Sequence, residues 1–170
     1  AKSVIDIAYD ISEGLARAAC AGEVNGEVVD LRTVLDSDCE LNILTAKDEK
    51  GLAVLRHTAS HVLAQAVQNL YPEAKVAIGP SIDTGFYYDF AHEPFSREDL
   101  DAIEKEMKKI IKKGAKIERF TKSREDAIAY FKEKNEPYKV ELIEDLPEDA
   151  EISFYSQGDW TDLCAGPHLM

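Results

Sequence analysis

The stretch that decides the fold reads Leu52-Ala53-Val54-Leu55-Arg56-His57-Thr58-Ala59-Ser60-His61-Val62-Leu63-Ala64-Gln65-Ala66-Val67-Gln68-Asn69-Leu70. Apolar residues recur in it at the spacing of one helix face, and Pro72 follows its end. It predicts one long helix over residues 52–70. The segments on either side read as short strands and helices separated by turn signals, so the chain is predicted to be an α+β protein.

The segment before this helix reads as a small α+β unit. Ser3-Val4-Ile5-Asp6 has the form of a capping box and predicts a helix that ends at Gly14. The dipeptide Asn25-Gly26 tolerates the positive φ angles of a tight two-residue turn, so it predicts a hairpin over residues 18–31. A third strand is predicted over residues 39–45, where apolar and polar residues alternate.

The charged connector Ala46–Gly51 is predicted to separate two domains. The expected elements after it are the helix 52–70, a strand pair 74–78 and 85–90 joined through Gly79-Pro80, a helix 96–114, a strand 116–120, a helix 123–134, and strands 138–143 and 152–156. Interleaved strands and helices of this kind predict a second α+β domain with a mixed or antiparallel sheet.

The composition excludes several classes of protein. With 45% hydrophobic and 31% charged residues, the chain has enough apolar material for a core and lies far from disordered sequences. No window approaches the roughly 18 to 20 apolar residues of a membrane-spanning helix, and a signal peptide is not evident. The three cysteines are widely spread, which argues against a disulfide framework. We expect a soluble cytoplasmic protein with no membrane partner.

The net charge of -13 is unevenly distributed. Between Lys105 and Arg124 there are nine bases and two acids, whereas between Glu141 and Asp162 there are eight acids and no base. Taken whole, the negative charge disfavours non-specific binding to nucleic acid. The basic stretch is either the solvated face of an amphipathic helix or a patch that meets an RNA backbone.

Four residues suggest a chemical site. His57 and His61 lie four residues apart in the predicted long helix, so their imidazoles project from one face about one turn apart. Near the end of the chain, Cys164 and His168 flank Gly166-Pro167, which favours a turn that would bring the thiol and the imidazole together. One thiolate and three imidazoles are an acceptable tetrahedral zinc set.

Three chemical interpretations of these residues stay open. A zinc ion held by all four would be closed to water unless one ligand is released, and the helix lacks the glutamate of a metalloprotease motif. Without metal, His57 or His61 would act as a general base on water, with Asp162 or Lys139 orienting or stabilising. Cys164 could instead be a covalent nucleophile, although no oxyanion hole is evident.

A set of short motifs follows in a defined order along nearly the whole chain. They are Ala21–Gly26 and Thr45–Asp48 in the first predicted domain, and His57–His61, Ala77–Pro80, Gly85–Asp89, Tyr138–Val140 and Asp162–His168 in the second. In this order they resemble the N-terminal part of bacterial threonyl-tRNA synthetases. The ordered set is highly specific, whereas any one motif alone would not be.

The resemblance implies a small β-grasp domain of the TGS type over residues 1–48 and a tRNA-editing domain over residues 52–170. It implies membership of the threonine–tRNA ligases, in which the second domain hydrolyses serine wrongly attached to tRNA(Thr). By match of motif, the residues lining the editing site would be His57, His61, Asp162, Cys164 and His168, with Lys139 as the catalytic lysine. Tyr87 is a further candidate for the pocket wall.

The resemblance also implies cofactors and partners. Related editing domains of alanyl-tRNA synthetases bind zinc with the same four-residue pattern, whereas the threonyl family's editing site is regarded as working without it. No metal or other cofactor is therefore expected in this chain, and zinc is the alternative. The expected partner is the acceptor end of tRNA(Thr). The ATP, magnesium and zinc of the aminoacylation core, and a homodimer interface, are expected outside this chain.

Two departures from the family pattern lead to further expectations. The family's first domain begins with a strand hairpin before its helix, whereas this chain begins at the helix, so the β-grasp sheet is expected to lack strands. In the family, further strands of the editing domain follow the Cys-x3-His pattern. The chain is therefore expected to be a fragment, truncated within its second domain.

Two functions from other classes also fit the sequence. A non-catalytic RNA-binding or regulatory module would use the basic stretch Lys105–Arg124 on an acceptor stem. A structural zinc domain would hold one equivalent of metal and would unfold on chelation.

Overall fold

The computed structural model describes all 170 residues and contains both helices and strands, so the predicted α+β class is confirmed. The chain divides into two units. The first consists of residues Ala1–Thr58, Ser81–Gly85 and Gly166–Met170, and the second of Ala59–Pro80 and Phe86–Ala165. No helix combines the length and the apolar character that crossing a membrane would require.

The first unit contains two short helices and a small antiparallel sheet. Its elements up to residue 45 are β1 (Lys2–Ser3), α1 (Val4–Ile11), α2 (Glu13–Ala18), β2 (Ala19–Val24), β3 (Glu27–Val29), β4 (Val34–Leu35) and β5 (Leu41–Thr45). The sheet has the order β3-β2-β5, and β1 pairs separately with β4. Small buried side chains on β2, such as Cys20 and Ala21, pack with Leu44 and Val54 to form a core.

The hairpin predicted from Asn25-Gly26 is confirmed. Asn25 has a φ of 50° and Gly26 a φ of 85°, and they connect β2 to β3. Positive φ at both central residues is what a tight hairpin turn requires. The backbone N–H of Glu40 also donates to the Asn25 side chain at 2.9 Å, which ties the turn to the chain entering β5.

The capping box at Ser3 is confirmed, but the predicted end of the first helix is wrong. Ser3 and Asp6 cap each other's backbone as expected. The helix ends at Ile11 because Ser12 adopts an extended conformation and its side chain accepts the backbone N–H of Leu15 at 3.0 Å. Ser12 therefore starts a second helix, and Gly14 lies inside it.

The remaining elements form most of the second unit. They are α3 (Glu49–Leu70), β6 (Lys75–Val76), β7 (Ser81–Ile82), β8 (Gly85–Phe86), β9 (Phe90–Ala91), α4 (Arg97–Lys113), β10 (Ile117–Thr121), α5 (Arg124–Glu133), α6 (Pro137–Asp145), β11 (Ser153–Gln157) and β12 (Trp160–Leu163). Of these, the start of α3, all of β7 and the first residue of β8 belong to the first unit. An antiparallel sheet of order β10-β11-β12 carries Phe154, which packs with Phe131 of α5 and Ile143 of α6.

The strand predicted over residues 138–143 is wrong, since these residues belong to helix α6. Pro137 occupies the first turn of that helix, where its fixed φ suits the backbone and its missing N–H costs nothing. The buried residues are Lys139 and Ile143, four positions apart, which is the spacing of one helix face. The side chain of Lys139 on this helix therefore lies in the protein interior.

Candidate functional site

A buried ion pair lies at the centre of the second unit. Lys139 projects from α6 and Asp162 from β12, and the lysine Nζ lies 2.9 Å from Oδ1 of the aspartate. The two side chains are only 4% and 2% exposed. A lysine and an aspartate are almost never buried unless they are paired, because removing each charge from water costs several kcal/mol. Two charged side chains buried to this extent are therefore unusual, even as a pair.

Tyr88 completes the ion pair from the segment between β8 and β9. Its hydroxyl donates to Asp162 Oδ2 at 2.7 Å and accepts from Lys139 Nζ at 3.1 Å. Burial, and then the nearby Asp162 carboxylate, raise the pKa of the phenol far above its ordinary value. Tyr88 therefore remains a neutral donor, and the three side chains form one hydrogen-bonded unit.

Gly79 makes room for the ring of Tyr88. A Cβ atom built on Gly79 would lie 2.0 Å from Cδ2 of the tyrosine, so any larger residue would displace the ring. The carbonyl of Gly79 accepts a hydrogen bond from the hydroxyl of Ser60 at 2.7 Å, which fixes this backbone against α3. The Gly79-Pro80 dipeptide thus has a specific packing role beside the buried ion pair.

His61 approaches the same carboxylate from α3. Its Nε2 lies 4.0 Å from Asp162 Oδ2, beyond hydrogen-bond distance but close enough for electrostatic interaction. The edge of its ring meets Trp160 at a centroid distance of 5.4 Å. Asp162 therefore has a lysine, a phenol and an imidazole around it, and all four side chains are buried.

A series of hydrogen bonds from Trp160 through Gln68 to Glu136 positions the helix that carries Lys139. The indole Nε1 donates to Gln68 Oε1 at 2.7 Å, and Gln68 Nε2 donates to Glu136 Oε1 at 2.6 Å. The other oxygen of Glu136 accepts the backbone N–H of Val76 at 3.1 Å. Burial raises the pKa of Glu136, although these two hydrogen bonds oppose the effect. Glu136 directly precedes α6, so the chain fixes the start of that helix.

The first unit holds the other two candidate histidines. The rings of His57 and His168 stack with centroids 4.3 Å apart. His168 Nδ1 lies 2.9 Å from the hydroxyl of Thr58, which also accepts the backbone N–H of Leu169 at 3.1 Å. His57 is partly exposed and His168 is buried.

The last residues of the chain are anchored by an aspartate and an arginine from the loop after β3. Asp30 Oδ2 accepts the backbone N–H of His168 at 3.2 Å, and Arg32 donates to the carbonyls of His168 and Leu169 at 3.3 and 3.0 Å. Arg32 is itself paired with Asp30 at 2.8 Å. Backbone and side-chain bonds thus hold His168 in one orientation.

Of the four candidate zinc ligands, His57 and His168 lie in the first unit, and His61 and Cys164 lie in the second. Three imidazoles and a thiolate suit zinc by chemistry. A tetrahedral shell with bonds of about 2.0–2.3 Å places its ligand atoms roughly 3.3–3.8 Å apart. A closed zinc site would therefore need all four ligand atoms at such distances.

Two comparisons relate the chain to known proteins. A family model of the TGS domain matches residues 1–45. Threonine–tRNA ligase of Acetivibrio thermocellus is 63% identical over 168 residues, which are 98% of this chain and 26% of that protein. The ligases of Caldanaerobacter subterraneus subsp. tengcongensis and Clostridium novyi are each 58% identical over the same shares.

The chain is therefore similar to threonine–tRNA ligases over nearly its whole length, and to the TGS domain over its first 45 residues. The resemblance read from the order of its motifs is therefore confirmed, as is the β-grasp-like character of its TGS domain. The chain spans about a quarter of the length of the curated relatives that it matches.

The sequence motifs do not single out three residues of the buried network, which are Tyr88, Glu136 and Trp160. Tyr87, the predicted pocket-wall candidate, is 42% exposed, whereas the adjacent Tyr88 is buried. Phe86, Tyr88 and Phe90 alternate with exposed neighbours, and this period of two was the available signal. Glu136 and Trp160 carry no comparable signal, because their partner Gln68 is distant in sequence.

The arrangement around Asp162 suits chemistry on an electron-rich oxygen. The Lys139 ammonium is held in place by Asp162 and Tyr88, in an interior where water does not screen its charge. A fixed positive charge of this kind can stabilise a developing oxyanion or give a proton to a leaving oxygen. The imidazole of His61 lies beside the same carboxylate, and His57 is one turn away on the same helix.

Proposed function

We propose that this chain carries the editing activity of a threonine–tRNA ligase and hydrolyses serine wrongly esterified to tRNA(Thr). The observation that carries the proposal is the buried network of Lys139, Asp162 and Tyr88, with His61 beside it. Two buried charges are costly to keep unless they serve a purpose, and strongly perturbed groups cluster at functional sites.

The proposed reaction answers a physical need of the family. Serine lacks one methyl group of threonine, and a pocket that binds threonine gains only about 1–3 kcal/mol from that difference. A second site that hydrolyses the wrong product supplies the missing discrimination. Such a second step requires only a hydrolytic site, because it does not activate an amino acid.

The proposed chemistry is the hydrolysis of an ester. A water oxygen bonds to the carbonyl carbon of the seryl group, the bond from that carbon to the ribose oxygen breaks, and serine leaves as the free acid. His57 orients the water and takes its proton. Lys139 stabilises the charge on the carbonyl oxygen or gives a proton to the departing ribose hydroxyl. Asp162 and Tyr88 hold Lys139 in position.

We propose that this reaction needs no metal. Lys139 supplies the positive charge that a Lewis acid would otherwise provide, and a zinc ion bound by all four of its candidate ligands would have no open position for water. If zinc were bound, His57, His61, Cys164 and His168 would hold it. Its contribution would then be to polarise the carbonyl or to activate water.

The test is deacylation by the metal-stripped chain. Seryl-tRNA(Thr) should lose its serine many times faster than threonyl-tRNA(Thr) loses threonine. Equal hydrolysis of both, or none by a folded chain, would contradict the proposal. If activity disappears on stripping and returns with one equivalent of zinc, the metal-free mechanism is wrong and the zinc site is correct.

We also propose that the basic stretch Lys105–Arg124 contacts the acceptor arm of the tRNA. The side chains of Lys108 and Lys109 on α4 are each 74% exposed, although both lie near glutamates of the same helix. Neutralising Lys108, Lys109 and Lys112 should weaken tRNA binding and reduce its dependence on salt concentration. Unchanged binding would indicate that this face is only solvated.

The properties of a longer protein containing this chain are proposals from the family relationship alone. We propose that such a protein is a cytoplasmic homodimer that attaches threonine to tRNA(Thr), with ATP, magnesium and a zinc ion bound in its aminoacylation core. A gel-filtration and aminoacylation assay of that longer protein tests this.

A further inference from the structure

We propose that three hydrogen-bonded residues, Glu136, Gln68 and Trp160, position the imidazole of His61 for the reaction. These three residues form the Glu136 network, and they lie in the second unit together with His61. They are positioning residues, since they act on the site through the ring of Trp160. The proposal rests on the editing function proposed above and adds residues that support the site from behind.

The direction of each hydrogen bond in the Glu136 network is fixed by its two ends. The indole N–H of Trp160 and the backbone N–H of Val76 can only donate. The indole therefore faces the oxygen of the Gln68 amide, at 2.7 Å. The amide nitrogen uses its two hydrogens on the carbonyl of Ala74 at 3.1 Å and on Glu136 Oε1 at 2.6 Å. Turning the amide round would place like groups against each other at all three contacts.

Only the ionised carboxylate of Glu136 satisfies this arrangement. Its Oε1 accepts from Gln68, and its Oε2 accepts the backbone N–H of Val76 at 3.1 Å. A proton bound to either oxygen would compete with the donor already there, and a buried O–H also needs an acceptor of its own. Gln68 could supply that acceptor only by turning its amide. Protonation of Glu136 therefore either weakens its bonds or releases the indole of Trp160.

The ring held at the end of the network contacts a candidate histidine of the site. Trp160 and His61 meet edge to face, with centroids 5.4 Å apart and ring planes at 81°. Both residues are buried, so in a close-packed interior neither ring turns without displacing its neighbours. His61 in turn lies 4.0 Å from the Asp162 carboxylate, which pairs with Lys139. A loosened indole would therefore misplace His61 beside that carboxylate.

The network predicts that acid releases the indole. Burial raises the pKa of Glu136 above its ordinary value of 4.5. Glu136 lines a cavity of about 230 Å³ and is 8% exposed, so a proton can reach it. Other titratable groups face it from neighbouring elements or across this cavity, and they are Lys75, Tyr88, Tyr130, Lys134, Asp159 and Asp162. All of them remain in Glu136→Gln, which removes only the carboxyl.

The chain has a single tryptophan, which makes the first test direct. A proton–nitrogen correlation NMR spectrum of the full chain contains one indole N–H signal, and hydrogen bonding moves its proton downfield. We expect the wild-type signal to move upfield as the pH falls from about 7, with a midpoint above 4.5. Glu136→Gln should abolish this step. A step that persists in Glu136→Gln would show that the indole responds to another group, and the network would be wrong.

The second test compares two glutamines of α3. Gln68→Met removes the amide that joins Glu136 to Trp160. Gln65→Met is the matched control, because Gln65 is also buried and accepts from Gln157 at 2.8 Å, outside the network. Gln68→Met should lower kcat for seryl-tRNA(Thr) on the order of tenfold or more with little change in KM, because the loss lies in orientation. Gln65→Met should keep the wild-type kcat.

Trp160→Phe is the second variant, in case Gln68→Met fails to fold. It keeps a ring beside His61 but has no N–H to donate. Its effect on kcat should match that of Gln68→Met, and combining the two substitutions should cause no further loss, because both break the same bond. Losses that multiply in the double variant, or a wild-type kcat in either folded single variant, would contradict the positioning role.

The imidazole signals of His61 separate this inference from the editing function. His61→Asn identifies them by their absence, and the ring current of Trp160 acts on them whether or not the ester is hydrolysed. They should shift in Gln68→Met and stay close to the wild-type values in Gln65→Met. If they do so while the wild type hydrolyses no ester, the editing function is wrong and the network is correct. Unchanged His61 signals in Gln68→Met would overturn the network.

Discussion

Two lysine–carboxylate pairs in the second unit have nearly the same geometry and opposite surroundings. On α4, Lys108 lies 3.1 Å from Glu104, and the side chains are 74% and 65% exposed. Between α6 and β12, Lys139 lies 2.9 Å from Asp162, and the side chains are 4% and 2% exposed. The two N–O distances hardly differ. The contributions of the two pairs to stability therefore differ mainly because one pair is surrounded by water and the other is not.

The exposed pair contributes about 0–1 kcal/mol, since water and salt screen it. The buried pair gains a strong attraction but loses the hydration of both charges, so replacing it with well-packed apolar residues would often be neutral or stabilising. Stability alone therefore gives little reason to bury Lys139 and Asp162. The comparison therefore supports the proposal that these two residues serve catalysis.

The largest loss of stability should come from replacing the buried lysine, and the exposed lysine is its control. Lys139→Met leaves the Asp162 carboxylate buried without its cation, so we expect the free energy of unfolding to fall by about 3–5 kcal/mol. Lys108→Met should change it by less than about 0.5 kcal/mol. Urea unfolding at pH 7 measures both. Similar losses from the two variants would mean that the buried pair is solvated.

A smaller effect should follow from crowding the ring that supports the buried pair. Gly79→Ala places a Cβ against Tyr88, so we expect a loss of about 1–3 kcal/mol together with lower activity. Gly85→Ala is the matched control, because no atom lies within 4 Å of its new Cβ. Thermal unfolding of both variants measures the difference. A stable and active Gly79→Ala would show that Tyr88 can move without consequence.

Removing one hydroxyl should have a still more limited effect. Tyr88→Phe takes away the donor to Asp162 and the acceptor for Lys139, which should cost about 1–2 kcal/mol. Tyr138→Phe, at a position 42% exposed on α6, should be close to neutral. Chemical denaturation of the two variants tests this contrast. An effect at Tyr138 as large as that at Tyr88 would contradict it.

The smallest effect is a dependence of stability on pH at Glu136. Burial raises the pKa of this carboxyl, so the folded chain binds a proton more readily than the unfolded chain does. The Glu136 contribution to stability should therefore fall as the pH rises from about 4.5, its ordinary pKa, through the raised value.

Subtracting the unfolding free energy of Glu136→Gln from that of the wild type at each pH should reveal this decline, followed by a plateau. The control is Glu141→Gln, at an exposed position on α6. Its unfolding free energy should show the same decline with pH as that of the wild type. A difference curve that rises with pH would mean that the hydrogen bonds from Gln68 and Val76, which favour the charged form, outweigh burial.

Local signals predicted most of the fold and part of the candidate site. The capping box at Ser3 and the turn at Asn25-Gly26 each act within a few residues, and each is present as predicted. The helix predicted over residues 96–114 is present as α4. The helix at Pro137 was misread because a short segment with apolar residues suits both a strand and a helix until its buried face is known.

The buried network could not be predicted in full, because it depends on tertiary contacts. Lys139 and Asp162 are both candidate site residues from the sequence, but nothing in their local sequence places them together. Tyr88 is 51 residues from Lys139 and 74 from Asp162 along the chain. Only the packed structure shows that their polar atoms meet.

The most direct test of the account is single-turnover hydrolysis of seryl-tRNA(Thr) by three metal-stripped proteins: the wild type, Lys108→Met and Lys139→Met. Near-ultraviolet circular dichroism confirms that each is folded. We expect Lys108→Met to keep the wild-type rate and Lys139→Met to lose a factor of about 100 or more, the usual contribution of a positioned acid or base. A folded Lys139→Met that hydrolyses the ester at the wild-type rate would contradict the assignment of this buried lysine to catalysis.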